Sequence, residues 1–269
     1  MTAPIPGTGA MNSDRAVHIW GTIVSRARRD ASPVSPLLAC LACVEALAVT
    51  GAGLVLATSM ELLEPVCTTD SRAGRVEELQ ATVGEGPGID ALETGRPILV
   101  HDLSSAGSAR QWPMFTPEAR QLGLYAMYSL PLAMGAIRVG ALNLYHDEPR
   151  ELSRDELVDA LMYADSALLL VLDDRGGIAT PLNGGMWDGH GPTLWHAEVH
   201  QAAGMTSVQL GVSVLDALVR LRALAFGHGQ TLAEVARAVV ERRLRLAPEQ
   251  NRTGSTRESA TNHDIEGQP

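Results

Sequence analysis

Two pairs of residues in this sequence have the spacing of metal ligands or redox thiols. Cys40 and Cys43 form a C-x-x-C motif, and His196 and His200 stand one helical turn apart. A metal site needs a third and usually a fourth ligand, and the sequence identifies none for either pair. We therefore interpret the cysteines as small buried residues on an apolar helix and the histidines as solvent-facing. We expect no metal ion and no cofactor.

A glycine-rich segment, Gly84-x-Gly86-x-Gly88, is superficially similar to a phosphate-binding loop. The third glycine comes one position too early for the dinucleotide pattern, Pro87 removes a backbone donor, and no lysine follows as in a Walker loop. We interpret the segment as a turn that precedes a short helix over residues 89–93. Because the sequence also lacks the serine hydrolase and zinc protease motifs, we expect no enzyme activity.

The arginines near the C-terminus indicate a different chemistry. The segment 195–246 has a net charge of +2, whereas the rest of the chain carries about −12, since the whole chain has −10. A locally basic module on an acidic protein favours a polyanionic partner that binds at this module alone. Its basic residues are Arg220, Arg222, Arg237, Arg242, Arg243 and Arg245.

Three short amphipathic helices are predicted to position these arginines. Ser213 precedes an apolar-periodic run and has Asp216 three residues later. Thr231 and Glu234 form a capping box, in which the two side chains satisfy backbone donors at a helix start. The pattern predicts an all-α three-helix domain over residues 194–247.

The preceding part of the chain predicts an α+β domain over residues 35–175. Ser35 and Pro36 mark a helix start, and Ser153 with Glu156 marks another. Between them the order of segments is not the regular alternation of a parallel α/β sheet, so we expect an antiparallel sheet with helices packed on one face. The predicted strands are 53–58, 64–69, 97–102, 125–133 and 137–145, the last two forming a hairpin around Met134, Gly135 and Ala136.

The remaining segments are predicted to connect or flank these domains. We expect a disordered terminus at 1–14, a helix at 15–34, a glycine-rich linker at 176–193 and a disordered tail at 248–269. Three cysteines, an odd number, do not suggest a disulfide framework. With no signal-peptide pattern and no apolar run of membrane-spanning length, we expect a cytoplasmic protein without a membrane partner.

Residues 35–175 resemble a GAF domain of the actinobacterial kind. The resemblance rests on the segment 84–103, on Gln111, Trp112 and Pro113, and on the segment 128–145. It implies a central antiparallel sheet flanked by helices, used either to bind a small molecule or to dimerise. If a ligand binds, we expect it between the sheet and the segment 84–94.

The C-terminal helices resemble an ANTAR domain. The resemblance runs through all three helices: Ala202 to Met205, then Leu221, Arg222 and Ala225, and then Leu232 to Ala236. It implies a homodimeric RNA-binding transcription antitermination regulator. Such proteins hold paired hairpins in nascent transcripts so that an overlapping terminator cannot form.

The resemblance implies that RNA is bound around the end of the first helix of this domain. The family's hallmark there is Ala-Lys-Gly, but Ala203 replaces the lysine, so one cationic contact is lost. We take Arg222 as the best remaining RNA contact; Arg220 lies about 200° around the same helix. For Arg242 and Arg243 two interpretations stay open: contacts to the RNA backbone, or a solvated helix end favoured by the helix dipole. The predicted RNA-binding residues are Ala203, Gly204, Met205, Arg222, Arg242 and Arg243.

Two other functions remain open at this point. The three helices could serve only for dimerisation and protein interaction, which the missing lysine favours. A helix-turn-helix DNA-binding regulator is the other alternative, although Pro248 leaves no second recognition helix after the segment 230–240.

Overall fold

A computed structural model of the chain describes residues 8–57, 63–176 and 192–246. Most of the predicted linker at 176–193 and the whole predicted tail at 248–269 lie outside these residues. Five strands form one sheet: β1 (Gly51–Ala57), β2 (Leu63–Thr68), β3 (Ile98–Val100), β4 (Ala126–Met134) and β5 (Ile137–His146). Their order is β2-β1-β5-β4-β3, and every neighbouring pair is antiparallel.

The sheet confirms the predicted α+β class with an antiparallel sheet. The β4–β5 hairpin turns at Gly135, whose φ of 61° suits a residue without a side chain. The five predicted strands all occur, with ends that differ by a few residues from the predicted ones. The longest strands are central because both of their faces are covered.

Helices cover both faces of the sheet, so the expectation of helices on one face was wrong. One face packs against α1 (Thr8–Arg29), α2 (Pro36–Leu47) and α7 (Arg154–Gly176). Tyr128 and Leu130 of β4 point to that side, whereas Met127 points to the other. The second face lies under α3 (Ser71–Val83), α4 (Pro87–Thr94), α5 (Ala106–Gln111) and α6 (Phe115–Gln121).

Several helix ends follow from local sequence. Ser35 accepts a hydrogen bond from the Leu38 amide, as predicted from the Ser-Pro pair. Asp70 caps α3, and this helix ends at Gly84 with a φ of 75°. Helix α1 begins at Thr8 and so covers much of the terminus predicted to be disordered; no proline or glycine interrupts residues 10–20. Helices α5 and α6 were not predicted because they are short and lack an apolar periodicity.

The C-terminal part consists of α8 (Pro192–Leu210), α9 (Val214–Gly227) and α10 (Leu232–Val240). Ser213 caps α9, and Thr231 and Glu234 form the predicted capping box of α10. The three helices bury a core of their own, separate from the core of the sheet. That core consists of Val199, Ala202, Ala203, Leu218, Leu221, Ala225, Leu232, Val235, Ala236 and Val239.

Replacing one glycine of the sheet should test how closely β1 and β5 approach each other. A Cβ at Gly140 would overlap the Val55 carbonyl oxygen and lie 2.9 Å from Leu56 Cα. Because two backbones would have to separate, we expect Gly140→Ala to lower the free energy of unfolding by about 2 kcal/mol or more. Gly21→Ala is the matched control. Its Cβ would meet no atom within 4 Å, so it should raise helix stability by roughly 0.5–1 kcal/mol. Urea unfolding of both variants measures the difference, and equal effects would contradict the close approach.

Candidate functional site

A carboxylate is buried under helix α3 on the second face of the sheet. Glu77 is 2% exposed. Its carboxylate accepts hydrogen bonds from Asn143 Nδ2 at 2.9 Å, from Gln80 Nε2 at 2.9 Å and from the Tyr145 hydroxyl. Among the residues that the structure describes, no cationic side chain joins these contacts, so three neutral donors surround the carboxylate. We call Glu77, Gln80, Asn143 and Tyr145 the polar cluster.

The polar cluster also fixes the glycine-rich turn. The amide of Gly88 donates to Gln80 Oε1 at 2.8 Å. A Cβ at Gly88 would lie 2.9 Å from each of three side-chain atoms: Asn143 Nδ2, Asn143 Oδ1 and Gln80 Oε1. Glycine is therefore needed here because the backbone lies directly on the polar side chains. This is a packing role, and the turn binds side chains where a phosphate loop would bind a ligand.

The segment 84–94, where the sequence predicts a small-molecule site if a ligand binds, lies against the polar cluster at Gly88. Side chains of α3 and β5 occupy the space between the sheet and the segment 84–94. Two buried polar atoms there, Asn143 Oδ1 and Ser129 Oγ, have no hydrogen-bond partner within the described residues. Asn143 and Ser129 stand opposite each other on β5 and β4.

Burial dominates the electrostatics of this cluster. Desolvation raises the pKa of Glu77 to about 7, although the hydrogen bonds from Tyr145, Asn143 and Gln80 oppose the shift. Burial and the neighbouring Glu77 carboxylate raise the pKa of Tyr145 well above its usual value. The cluster can therefore exchange one proton near neutral pH, and that proton belongs to Glu77.

The opposite side of α3 contacts the C-terminal helices. Arg222 Nε on α9 donates to the carbonyl oxygen of Ala81 at 3.0 Å. The Leu232 amide, at the start of α10, donates to the Thr82 hydroxyl at 3.1 Å. A Cβ at Gly84 would lie 3.2 Å from Arg222 Nη1, so the glycine that ends α3 also makes room for the guanidinium. We call these contacts the α3 interface.

A cleft of about 420 Å³ lies beside the α3 interface. Glu78 and Leu79 of α3 face Phe226 and Thr231 across it. Burial raises the pKa of Glu78, while a hydrogen bond from Thr231 opposes the shift.

A second contact joins the C-terminal helices to the sheet domain: His200 Nε2 of α8 lies 3.7 Å from Glu64 Oε1 of β2. Two separate parts of the sheet domain therefore contact the three helices.

The predicted RNA-binding residues do not form one surface. Ala203 is 0% exposed in the core of the three helices, and Gly204 and Met205 are half-buried. Arg222 lies in the α3 interface, while Arg242 and Arg243 are exposed past the end of α10. An RNA surface that includes Ala203 and Arg222 does not fit this arrangement, because Ala203 is buried in the core of the three helices and Arg222 is directed toward α3.

The cysteines lie in the core. Cys40 Sγ and Cys67 Sγ are 3.8 Å apart, and all three cysteines are buried as free thiols. Burial raises the pKa of Cys43 far above its usual value, which keeps this thiol protonated and unreactive. Within the described residues, no three histidine, cysteine or acidic side chains lie together as a metal site would require.

Sequence reasoning missed the polar cluster. Asn143 stands in the apolar run Ala141 to Tyr145, and a polar residue on the covered face of a strand needs a partner. That run was a signal that a buried polar group exists. Its partner, Glu77, lies 66 residues earlier and on a helix, so the pairing could not be deduced from spacing.

Comparisons with known proteins identify part of the chain. Residues 38–162 match the model of the GAF domain family, and we therefore assign a GAF domain to this segment. GAF domains are typical of sensor and signalling proteins. No protein of curated function matches the sequence. No helix among residues that the structure describes is long and apolar enough to span a membrane.

Solved structures with a similar fold have low sequence identity to this chain. The GAF domain of a phosphoenolpyruvate-protein phosphotransferase from Coxiella burnetii is 15% identical, with 60% of this chain and 96% of that chain covered and a TM-score of 0.44. The corresponding domain from Acinetobacter is 11% identical, covers 65% and 99%, and has the same TM-score of 0.44. A domain of a two-component sensor histidine kinase protein from Sinorhizobium meliloti is 17% identical, with 51% and 89% covered and a TM-score of 0.42.

Removing the ionisable group of the polar cluster should change how stability depends on pH. The folded-state pKa of Glu77 is about 7 against an ordinary 4.5, so the folded form disfavours ionisation. The contribution of Glu77 to stability is then largest below pH 4.5 and is lost as the pH rises through 7. Between pH 5 and 8 the wild type should lose roughly 2 kcal/mol more than Glu77→Gln. Urea unfolding at both pH values measures this loss. Glu93→Gln, the same change at an exposed position of α4, should keep the wild-type dependence. If Glu77→Gln lost as much unfolding free energy between pH 5 and 8 as the wild type, the raised pKa would not belong to Glu77.

A second variant tests whether the three helices are held on α3 in solution. Thr82→Val preserves the side-chain shape but leaves the buried Leu232 amide without its acceptor, a loss of about 1–3 kcal/mol. We expect faster hydrogen exchange at the Leu232 amide. Thr116→Val is the control, because Thr116 Oγ1 donates to Ser108 O within the GAF domain. It should leave exchange at Leu232 unchanged. Equal exchange in wild type and Thr82→Val would mean that this contact does not hold the domains together.

Proposed function

We propose that this protein is a cytoplasmic, non-enzymatic transcription regulator whose GAF domain controls an RNA-binding ANTAR output made of α8, α9 and α10. The output acts by antitermination, holding hairpins of a nascent transcript. The ANTAR-like pattern across all three helices and the arginine excess of the segment 195–246 support an RNA partner. The GAF domain supports a role in sensing.

One observation carries the coupling of the two parts: both use helix α3. Glu77 and Gln80 point from α3 into the polar cluster and hold the glycine-rich turn. The next turn of the same helix provides Ala81 O and Thr82 Oγ1 to the output helices. A small molecule or proton that rearranges the polar cluster would shift α3, and this shift would change the contact with Arg222.

The protein acts as a homodimer in this proposal, as the ANTAR resemblance implies. Helix α9 supports it, because Leu215 and Val219, one turn apart, are 50% and 60% exposed. The same observation favours the second candidate function, in which the helices only dimerise and bind protein. Binding of RNA separates the two.

Binding measurements with the full-length protein test the proposed function. Fluorescence anisotropy would compare an RNA with two short hairpins, the same RNA with its loops closed by pairing, and duplex DNA of equal length. We expect the open-loop RNA to bind tightest and the affinity to fall steeply as salt rises, because arginine contacts release counterions. Sedimentation of the free protein gives its oligomeric state. A dimer that binds none of the three nucleic acids at low salt would support the interaction module. A preference for duplex DNA would support a DNA-binding regulator.

A further inference from the structure

We infer that a cleft between Arg220 and Arg245 receives an unpaired base of the RNA together with its phosphate. This inference rests on the proposed function and adds the place at which RNA is contacted. The cleft has a volume of about 520 Å³, within the range of small-ligand sites. The end of α8, the outer side of α9 and the segment after α10 form its walls.

Most of the residues that line the cleft are apolar. Ala223 and Gly227 of α9 contribute little or no side chain, which leaves depth between the larger residues. The apolar side chains that line the remainder are Leu210, Leu224, Leu244 and Leu246. Such a surface contacts the face of an unstacked base, whereas a free inorganic anion would gain nothing from it.

The rim of the cleft is basic. Arg220, Arg245 and His228 line it, and no carboxylate does. Over residues 14–57, 63–173 and 197–246, no acidic side chain forms an ion pair with Arg220 or Arg245. Guanidinium groups stack on bases and bind phosphate with two parallel hydrogen bonds. Two of them beside these apolar side chains therefore fit one nucleotide.

Three of the other four arginines of this region have partners elsewhere, and Arg242 is exposed past the end of α10 and does not line the cleft. Arg237 pairs with Glu198 at 3.2 Å and Arg243 with Glu241 at 2.5 Å. Arg222 donates to Ala81 O in the α3 interface. The charges of Arg237 and Arg243 are therefore partly compensated by carboxylates, whereas Arg220 and Arg245 have no such partner among the residues described above.

The position of the cleft leaves it accessible while the GAF domain is docked. Arg220 and Arg222 are two residues apart on α9, and two residues correspond to about 200° around a helix. Since Arg222 points to α3, Arg220 points away from the GAF domain. RNA can therefore reach the cleft without opening the α3 interface.

The test uses the full-length protein and the open-loop hairpin RNA. We expect Arg220→Ala and Arg245→Ala each to weaken binding on the order of tenfold, the effect of losing one stacking or phosphate contact. Arg110→Ala removes the same charge from an exposed position of α5 in the GAF domain, so it is the matched control and should change affinity by less than about threefold. Arg245 and Arg110 are exposed and Arg220 is half-buried, and thermal unfolding of each variant checks that the fold is retained.

A thermodynamic cycle tests whether a base occupies the cleft. Loop nucleotides are replaced one at a time by abasic ones, and each RNA is measured with wild type and with Arg220→Ala. At one loop position the two losses should not add, since both remove the same contact. Additive losses at every position would overturn the inference, as would equal effects of Arg220→Ala and Arg110→Ala in a protein that binds RNA. In those cases the proposed RNA binding itself would stand; only a wild-type protein that binds no RNA would remove both.

Discussion

The buried carboxylate of Glu77 is the constraint on which much of this structure depends. A carboxylate without a cation can be buried only when polar groups surround it, and here Asn143, Gln80 and Tyr145 supply the donors. These partners come from α3 and from β5, so the charge requires that helix and strand keep one relative position. The turn at Gly88 then follows, because its amide is bound to Gln80. Apolar packing on the other face of the sheet does not depend on direction in the way that these hydrogen bonds do.

Helix α3 connects this constraint to the C-terminal helices α8, α9 and α10. One side of the helix meets the polar cluster, and its last turn meets Arg222 and Leu232. A rigid helix with specific hydrogen bonds at both places transmits a displacement, whereas a purely apolar contact could slide. Burial raises the pKa of Glu77 to about 7, so the protonation state of this helix-borne carboxyl is sensitive to pH near neutrality.

The charge of the C-terminal helices is not evenly available to a polyanion. Pairing with Glu198 and Glu241 compensates two arginines, and docking on α3 engages Arg222. Of the remaining three, Arg220 and Arg245 line a cleft together with apolar side chains, and Arg242 does not. Net charge alone would have treated all of these residues as equivalent, although the neighbours of each guanidinium decide what it can bind.

Local patterns in the sequence determined the helices and strands, because a cap, a turn glycine or an apolar period acts within a few residues. For that reason the sequence predicted three helix starts, the hairpin turn and the antiparallel α+β class. The residues concerned are Ser35, Ser213, Thr231 and Gly135. Short helices without periodicity, such as α5 and α6, were missed. Only the tertiary structure decided which side chains meet. It placed helices on both faces of the sheet, brought Glu77 to Asn143, buried Ala203 and turned Arg222 toward α3, since these outcomes depend on contacts between residues far apart in the chain.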